Sequence, residues 1–372
     1  MFDYSKQIAA FRYEKVRLSA VFKNKLYARR DSNRNRLINR LPERIEGLTI
    51  STSSFKPQGS SANDTIIQTM FIFDEYDIDD GLILKREELV DEDGHDMSPE
   101  EVRGHVLQAL KDKRFAKQPT QVHNCVRVFY KEEDEERHHV DFPVYRKFAD
   151  DDGNIVKELA GGDGWMLSDP TQVNQWFLDE VIRLNKITDG WGTQFRRLVQ
   201  LMKRFARSRS NWDLPNGMKL TMLTHECLPY YEERIDVAFR RLLEAMETRL
   251  KTNKVINNLA HPDQPALTRT ESDNNVNELE EKVIEALDYL RPLDEAENND
   301  RTNARRAWDW IFKSNGFFKE FDDVEDEKEA KEKSLRAKAE LLSKGAARTS
   351  SLGVIGSSGV ANQPHQFYGD TF

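Results

Sequence analysis

Cysteine is scarce in this 372-residue chain, and long apolar runs are missing from it. The two cysteines, Cys125 and Cys227, lie far apart and lack the close spacing of metal ligands, which argues against a disulfide framework or a zinc site. No apolar run reaches the roughly eighteen residues that a spanning helix needs. Residues 1–6 do not resemble a secretory signal. We therefore expect a reduced, cytoplasmic protein with no membrane partner.

Positive charge is also in deficit, since the formal net charge is −9 at pH 7. A protein that binds nucleic acid without sequence preference needs a strong basic field, so an obligate nucleic-acid partner is not expected. The exception is the segment 12–44, where eleven Lys and Arg residues crowd together. We interpret most of them as a solvated helix face. A helix edge that approaches a polyphosphate or RNA is the alternative that the sequence leaves open.

Hydrophobic spacing divides the chain into a mixed part and a helical part. Apolar residues recur at helical intervals over 6–44, which predicts one helix. Over 45–150, turn, strand and helix patterns alternate and indicate a mixed α/β lobe. Within it, Ser98-Pro99-Glu100-Glu101 predicts a helix start, because Ser98 can cap the helix and Glu101 can complete a capping box.

From about Asp169 onward the pattern is almost wholly helical. A polar stretch over 254–275 is expected to form a loop. A charged helix over 325–344 is expected to end at Gly345, and residues 346–372 are expected to be disordered because they are rich in Ser, Gly and Asn. The helices predicted before that charged helix cover 170–186, 191–208, 216–227, 229–251, 276–291 and 301–313.

Three aspartates carry the chemistry. In the predicted strand around residues 76–84, Asp77 and Asp79 project to the same side, about 7 Å apart at their Cα atoms. Two carboxylates with no Lys or Arg between them repel each other and favour a divalent cation, for which Mg²⁺ is suited. Asp141 lies among apolar residues on a later strand. It is the candidate third ligand of a two-metal site that could stabilise an in-line phosphoryl displacement.

A Gly-Ser turn precedes these acids. Gly59 would let backbone amides approach phosphate oxygens closely, and Ser60 adds a hydroxyl donor. Neither a Gly-Ser pair nor an Asp-x-Asp is specific by itself. The order of a Gly-Ser turn, an Asp-x-Asp some seventeen residues later, and an Asp with apolar neighbours on a following strand is much more specific.

In the order and the residues of these motifs, the chain resembles the polymerase-β-like nucleotidyltransferases. Among them it resembles the bacterial cGAS/DncV-like cyclic-oligonucleotide synthases. The resemblance covers about residues 50–315 and excludes the tail. Its catalytic motifs are Gln58-Gly59-Ser60, Tyr76-Asp77-Ile78-Asp79-Asp80-Gly81 and His139-Val140-Asp141-Phe142-Pro143-Val144-Tyr145. Its further landmarks are Ser168-Asp169-Pro170, Trp176-Phe177, Phe195-Arg196-Arg197-Leu198, Lys203 and Ala307-Trp308-Asp309-Trp310-Ile311-Phe312.

The resemblance implies an α+β protein with two lobes, a nucleotidyltransferase lobe with a mixed sheet and an all-helical C-terminal lobe. We expect an N-terminal helix and catalytic lobe over 1–165 and a helical lobe over 166–320. The charged helix over 321–345 and the tail over 346–372 would follow.

The implied reaction is attack of a ribose hydroxyl on the α-phosphate of a nucleoside triphosphate, with release of pyrophosphate. ATP and GTP are the expected substrates. Asp77, Asp79 and Asp141 would bind two Mg²⁺ ions, for which Mn²⁺ could substitute. The triphosphate would be held by Gln58, Gly59, Ser60, Lys203 and Thr221. The family often has Gly-Thr a few residues after Gly-Ser, where this chain reads Asp64-Thr65, so the conformation of that loop is open.

Several residues in or near these motifs are interpreted as structural rather than as part of the site, because such residues more often pack or face solvent. We expect Asp80 to face the other side of the strand from Asp77 and Asp79 and to make a turn or cap with Gly81. We interpret His138 and His139 as packing or surface residues. Arg196 and Arg197 are left open, since one of them could contact phosphate. The residues assigned to packing rather than base stacking are Tyr145, Trp176, Trp308 and Trp310.

The resemblance favours a cyclic di- or trinucleotide synthase of anti-phage systems, whose product a separate effector reads. The alternatives are a relative that modifies RNA ends or a protein, and a catalytically silent nucleotide-binding regulator. The end of the chain carries Phe367 and Tyr368 on a polar linker. We hypothesise that a partner, such as a ubiquitin-like conjugation enzyme, recognises this tail.

Overall fold

One mixed sheet organises the first part of the protein. The computed structural model describes residues 1–71, 75–131, 137–162, 164–268, 273–343, 348–349, 355–356 and 360–361. The central pair of strands, β2 and β5, is parallel, and the other pairings are antiparallel, in the order β1-β2-β5-β4-β3 with β6 and β7 added beyond β5. The strands of this sheet are β1 (Phe55–Pro57), β2 (Glu75–Lys85), β3 (Thr120–Val122), β4 (Cys125–Lys131), β5 (Arg137–Ala149), β6 (Ile155–Gly161) and β7 (Gly164–Leu167).

The helices divide into those that cover the sheet and those that form the C-terminal part of the same compact unit, Met1–Lys313. None of the described helices is long and apolar enough to cross a membrane. The helices of this unit are α1 (Ser5–Phe11), α2 (Ala20–Arg40), α3 (Gly59–Ala62), α4 (Pro99–Leu110), α5 (Gln172–Ile187), α6 (Trp191–Ala206), α7 (Gly217–Glu226), α8 (Ile235–Thr252), α9 (Asn274–Leu290) and α10 (Arg301–Phe312).

The sheet separates an apolar face from a polar face. Alternate residues of β2 and β5, such as Ile78 and Val140, point into a core that α2 and α4 cover. The start of α4 is as predicted, because the Ser98 hydroxyl accepts a hydrogen bond from the Glu101 amide and the Glu101 carboxylate accepts one from the Ser98 amide. The opposite face of the sheet is therefore available for the functional site.

The N-terminal helix is not continuous, contrary to the prediction over 6–44. After a π-helical turn at Arg12–Val16 the backbone becomes extended at Arg17, and Ser19 caps α2 by accepting a hydrogen bond from the Phe22 amide at 3.2 Å. The break has a physical reason. The apolar side of α1 is buried against α8, whereas that of α2 is buried on the sheet, and one straight helix could not cover both.

The first helix accordingly joins the C-terminal helices rather than the catalytic lobe in which we had placed it. The Tyr4 amide donates to the buried carboxylate of Asp236 on α8 at 3.0 Å. The guanidinium of Arg12 donates to Gln200 on α6 at 2.7 Å. These hydrogen bonds join the N-terminal residues to α6 and α8, which come after the sheet in the sequence.

The six helices predicted between residues 170 and 313 are present, and one of them starts late. α8 begins at Ile235 instead of residue 229. Before it, the Pro229 carbonyl accepts a hydrogen bond from the Trp191 indole at 2.9 Å, and the Glu232 amide donates to Gln194 at 2.9 Å. Side chains of α6 thus satisfy backbone groups that would otherwise need a helical turn.

The second unit, Ser314–Phe372, contains the charged helix α11 (Phe317–Ser343), which starts before the predicted residue 325. Gly345, its predicted cap, lies outside the described residues. Part of the tail that we expected to be disordered forms short strands, and its other residues, Phe367 and Tyr368 among them, lie outside the described ranges. The described strands are β8 (Arg348–Thr349), β9 (Ile355–Gly356) and β10 (Val360–Ala361).

Several basic residues of the N-terminal segment hold α2 against the sheet lobe. Arg34 forms two hydrogen bonds, at 2.6 and 2.5 Å, with the fully buried carboxylate of Asp80. Arg36 pairs with Asp112 at 3.2 Å. As expected, Asp80 faces the side of β2 opposite to Asp77 and Asp79. Its interpretation as a turn or cap residue is wrong, because it lies within the strand and pairs with Arg34.

Replacing Asp80 by Asn is expected to destabilise the fold by about 3 kcal/mol, because the half-buried Arg34 guanidinium loses its hydrogen-bonded, buried counter-charge. The free energy of unfolding in urea measures this loss. The control is Asp288→Asn at the exposed pair with Arg291, which should cost less than about 1 kcal/mol. Equal losses in the two variants would contradict a special role for the buried pair.

Candidate active site

The register of the central strands brings the three predicted aspartates together. In the parallel pair of β2 and β5, Asp77 lies opposite His139 and Asp79 lies opposite Asp141. Because alternate residues share a face of the sheet, all four side chains project to the polar side. The structure therefore forms one cluster from two sequence motifs more than sixty residues apart.

Each carboxylate of the cluster has identifiable neighbours. Arg127 on β4 forms two hydrogen bonds with Asp141, at 2.8 and 2.7 Å. The Nε2 atom of His139 lies 3.2 Å from an oxygen of Asp77 and 3.8 Å from an oxygen of Asp141. Its Nδ1 atom lies 3.3 Å from Glu75. Ligand atoms of Asp77, His139 and Asp141 all fall within 4.8 Å of one another, which is close enough to share one ion.

The electrostatics of the cluster favour a cation. Burial, together with the charges of Asp77 and Asp141, raises the pKa of Asp79 to about 7. Burial lowers the pKa of His139, but the hydrogen bond to Asp77 and the charge of Asp141 leave it above its ordinary value. Carboxylate oxygens are the ligands that Mg²⁺ and Mn²⁺ prefer. The residues present thus fit one or two such ions, which would relieve the repulsion among the carboxylates.

His139 belongs to this cluster, although we had placed it outside the site. The two adjacent histidines do point to opposite faces, as expected for a strand. His138 is buried and stacks on Tyr130 with a centroid distance of 4.9 Å. His139 takes the face of Asp141, two residues further on. Side chains two residues apart on a strand share a face, which is the rule that grouped Asp77 with Asp79. The same rule applied to His139 and Asp141 would have placed His139 in the site.

The Gly-Ser turn is attached directly to the cluster. The Gln58 amide donates to the Asp79 carbonyl at 3.0 Å, and α3 starts at Gly59. Gly59 has a φ of +61°, and a Cβ atom there would lie 2.7 Å from a carboxylate oxygen of Asp79. Only glycine satisfies both conditions. The side chain of Gln58 lies between Gly81 and the Tyr145 hydroxyl, which donates to it at 3.4 Å, so Gln58 supports the turn.

A cavity of about 460 Å³ opens beside the cluster, between the sheet and α5, α6 and α7. Asp77, Asp79 and Ser60 line one part of its wall, and Lys203 and Thr221 line another. Trp176, which we had assigned to packing alone, also lies on the wall. The apolar residues of the wall are Ile66, Ile67, Val173, Met218 and Met222.

Lys203 and Thr221 reach the cavity from the helical part. The ammonium group of Lys203 donates to the carbonyl and hydroxyl oxygens of Thr65, at 3.2 and 3.0 Å. Burial, with a contribution from the nearby charge of Arg207, lowers the pKa of Lys203 to about 7. The hydroxyl of Thr221 donates to the Gly217 carbonyl at 2.7 Å.

The loop that departs from the family pattern is held by α6. Asp64 adopts a φ of +54° and accepts a hydrogen bond from Lys23 at 2.5 Å. Gln200 donates to the Asp64 carbonyl at 2.8 Å, and Arg196 donates to the Asn63 carbonyl at 3.0 Å. Arg196 is therefore a support of the loop, and Arg197 is exposed on the surface of α6.

Residues 53–145, which contain the whole cluster and the Gly-Ser turn, match the family model of the "Cyclic GMP-AMP synthase DncV-like, nucleotidyltransferase domain". This region is a DncV-like nucleotidyltransferase domain. The predicted resemblance to that family is thereby confirmed over residues 53–145, and the match supports nucleotidyltransferase activity.

Solved structures extend the likeness beyond this domain. Vibrio cholerae DncV with the linear intermediate 5′ pppA(3′,5′)pG has a TM-score of 0.64 and 17% identity, and the match covers 84% of this chain and 96% of that one. The same enzyme with nonhydrolyzable GTP gives 0.66 and 17%, with equal coverage. Escherichia coli DncV bound to 3′-deoxy GTP gives 0.60 and 19%, covering 81% and 92%. The predicted fold, a nucleotidyltransferase lobe followed by helices, is confirmed.

Gly59→Ala in the nucleotidyltransferase domain is expected to weaken Mn²⁺ binding about tenfold or more, because the new methyl group displaces the Asp79 carboxylate. Titration followed by electron paramagnetic resonance measures the affinity. Gly47→Ala is the matched control, since Gly47 also has a positive φ, +76°, but no atom would lie within 4 Å of its Cβ. Unchanged Mn²⁺ affinity in Gly59→Ala would contradict the proposed contact.

Asp79→Asn is expected to raise the melting temperature in EDTA at about pH 8 and to change it little at about pH 4. The folded pKa of Asp79, about 7, lies above its unfolded value of 3.8. The wild-type protein therefore loses stability as the pH rises through this interval, and Asn removes the loss. Added Mg²⁺ should stabilise the wild type more than the variant. An equal gain at both pH values would refute the assigned repulsion.

Proposed function

We propose that the protein is a metal-dependent cyclic-oligonucleotide synthase. A 3′- or 2′-hydroxyl of one ribonucleotide attacks the α-phosphate of a nucleoside triphosphate. The new phosphorus–oxygen bond forms as the bond to the β-phosphate breaks, the hydroxyl proton is lost, and pyrophosphate leaves. The observation that carries this proposal is the cluster of Asp77, Asp79 and Asp141 beside the Gly59 turn. Asp77 and Asp79 of this cluster line the nucleotide-sized cavity.

Each side chain of the site has a role in this reaction. Two ions, Mg²⁺ or Mn²⁺, held by Asp77, Asp79 and Asp141 would stabilise the charge that develops on the α-phosphate. Asp141 accepts the proton of the attacking hydroxyl, and the two bonds from Arg127 fix its orientation. The Ser60 hydroxyl and the amides of the turn at Gly59 hold the terminal phosphates.

The walls of the cavity fit purine ribonucleotides. A volume of about 460 Å³ lies in the usual range of ligand sites, roughly 300–1,000 Å³. Its apolar side chains and Trp176 can cover a base, whereas the phosphates reach Lys203 and Thr221. The likeness to DncV structures with nonhydrolyzable GTP, with the linear intermediate 5′ pppA(3′,5′)pG or with ATP and GTP supports ATP and GTP as substrates. On the same resemblance we propose that a separate effector reads the product in anti-phage defence.

Alanine at Asp77, Asp79 or Asp141 is expected to lower product formation about 10³-fold or more, a loss of about 4 kcal/mol of transition-state stabilisation. Purified protein is incubated with labelled ATP, GTP, CTP and UTP and Mg²⁺ or Mn²⁺, and phosphatase-resistant product is measured. Asp93→Ala, in an exposed acidic turn away from the site, should retain full activity.

Three results would count against the proposal. Long labelled chains would indicate an RNA-extending enzyme, and labelled protein would indicate transfer to a protein. Full activity in an alanine variant of the cluster would exclude that residue from catalysis.

A further inference from the structure

A second cavity adjoins the nucleotide cavity. Its volume is about 380 Å³, and its wall includes Arg209, Trp212 and Pro215. The two cavities share part of their lining, so they meet at a common boundary. The shared residues are Glu75, Lys203, Arg207, Asn216 and Gly217.

This boundary has the features of an anion site. Lys203 and Arg207 are the basic residues among those that line the nucleotide cavity. Asn216 caps α7 by accepting a hydrogen bond from the Lys219 amide at 3.1 Å. A Cβ atom at Gly217 would lie 3.0 Å from Cε of Lys203, so the lysine packs against the N-terminus of α7. The first amides of a helix lack intrahelical acceptors and favour negative charge.

The two cations differ in what they can still bind. Lys203 has already directed two hydrogen bonds to Thr65, which leaves at most one donor of its ammonium group. Arg207 lies one turn further along the chain, and its side chain is exposed. Within the described part of the chain its guanidinium makes no hydrogen bond or ion pair. Nearby Arg209, by contrast, is packed between Trp212 and Trp310 and bonded to Ser208.

We infer that Arg207 binds the terminal phosphates of the bound triphosphate and then the pyrophosphate that leaves through the second cavity. The inference rests on the proposed function. A guanidinium presents five N–H donors in a planar fork that matches phosphate oxygens, which the partly occupied ammonium of Lys203 cannot do. A polyphosphate between Lys203 and Arg207 would also remove the repulsion between these two cations.

A simpler role would be stabilisation of α6, because a cation near the C-terminus of a helix interacts favourably with the helix dipole. That role would change the melting temperature but would not distinguish ligands by their number of phosphates. Binding measurements can therefore separate the two.

The test compares Arg207→Gln and Arg207→Lys with the matched control Arg197→Gln, an exposed arginine of the same helix that lines neither cavity. Calorimetry in Mg²⁺ measures the affinities for a nonhydrolysable GTP analogue, GMP and inorganic pyrophosphate. Arg207→Gln should weaken the triphosphate and pyrophosphate about tenfold, or about 1.4 kcal/mol, and leave GMP unchanged. Arg207→Lys should recover part of the loss, and Arg197→Gln should match the wild type.

Equal effects on GMP and the triphosphate, or no effect on either, would overturn the inference. A wild-type protein that binds the triphosphate but forms no cyclic product would contradict the proposed function, and the Arg207 comparison would still decide the phosphate contact. A wild-type protein that binds neither the triphosphate nor pyrophosphate would refute both.

Discussion

The parallel register between β2 and β5 is the constraint on which the site depends. It places Asp79 opposite Asp141 and Asp77 opposite His139, so like charges from two strands meet on one face of the sheet. Burial strengthens their repulsion, because charges in a low-dielectric environment are screened less than in water. Arg127 and His139 compensate part of it. The remaining negative charge favours the binding of divalent cations. The repulsion that creates this site destabilises the fold as long as no cation is bound.

The same sheet explains why adjacent residues of β2 serve different purposes, one in the site and the next in the structural core. Along β2, Asp77 and Asp79 face the cavity, whereas Asp80 faces α2 and is neutralised by Arg34. Both kinds of carboxylate come from one short acidic run. The difference between a ligand and a structural ion pair is therefore set by the alternation of the strand.

The helical part contributes to the site through the loop 63–65. Arg196, Gln200 and Lys203 on α6 each donate a hydrogen bond to backbone carbonyls of this loop, which follows directly after the Gly-Ser turn. The turn is bonded in the other direction to Asp79. The phosphate-binding turn is thus held between the sheet and α6, so the distance between Ser60 and Lys203 depends on the packing of both parts.

The sequence alone determined the order of the motifs, the helical nature of residues 170–313 and the placement of Asp77 and Asp79 on one face of a strand, because these follow from local spacing and backbone preference. It also supported the fold class through its resemblance to the nucleotidyltransferases. Only the tertiary structure decided that the first helix breaks before Ser19, that His139 joins the carboxylates and that Arg34 neutralises Asp80. Those outcomes depend on which distant surfaces meet, since burial and ion pairing are set by partners far apart in the chain.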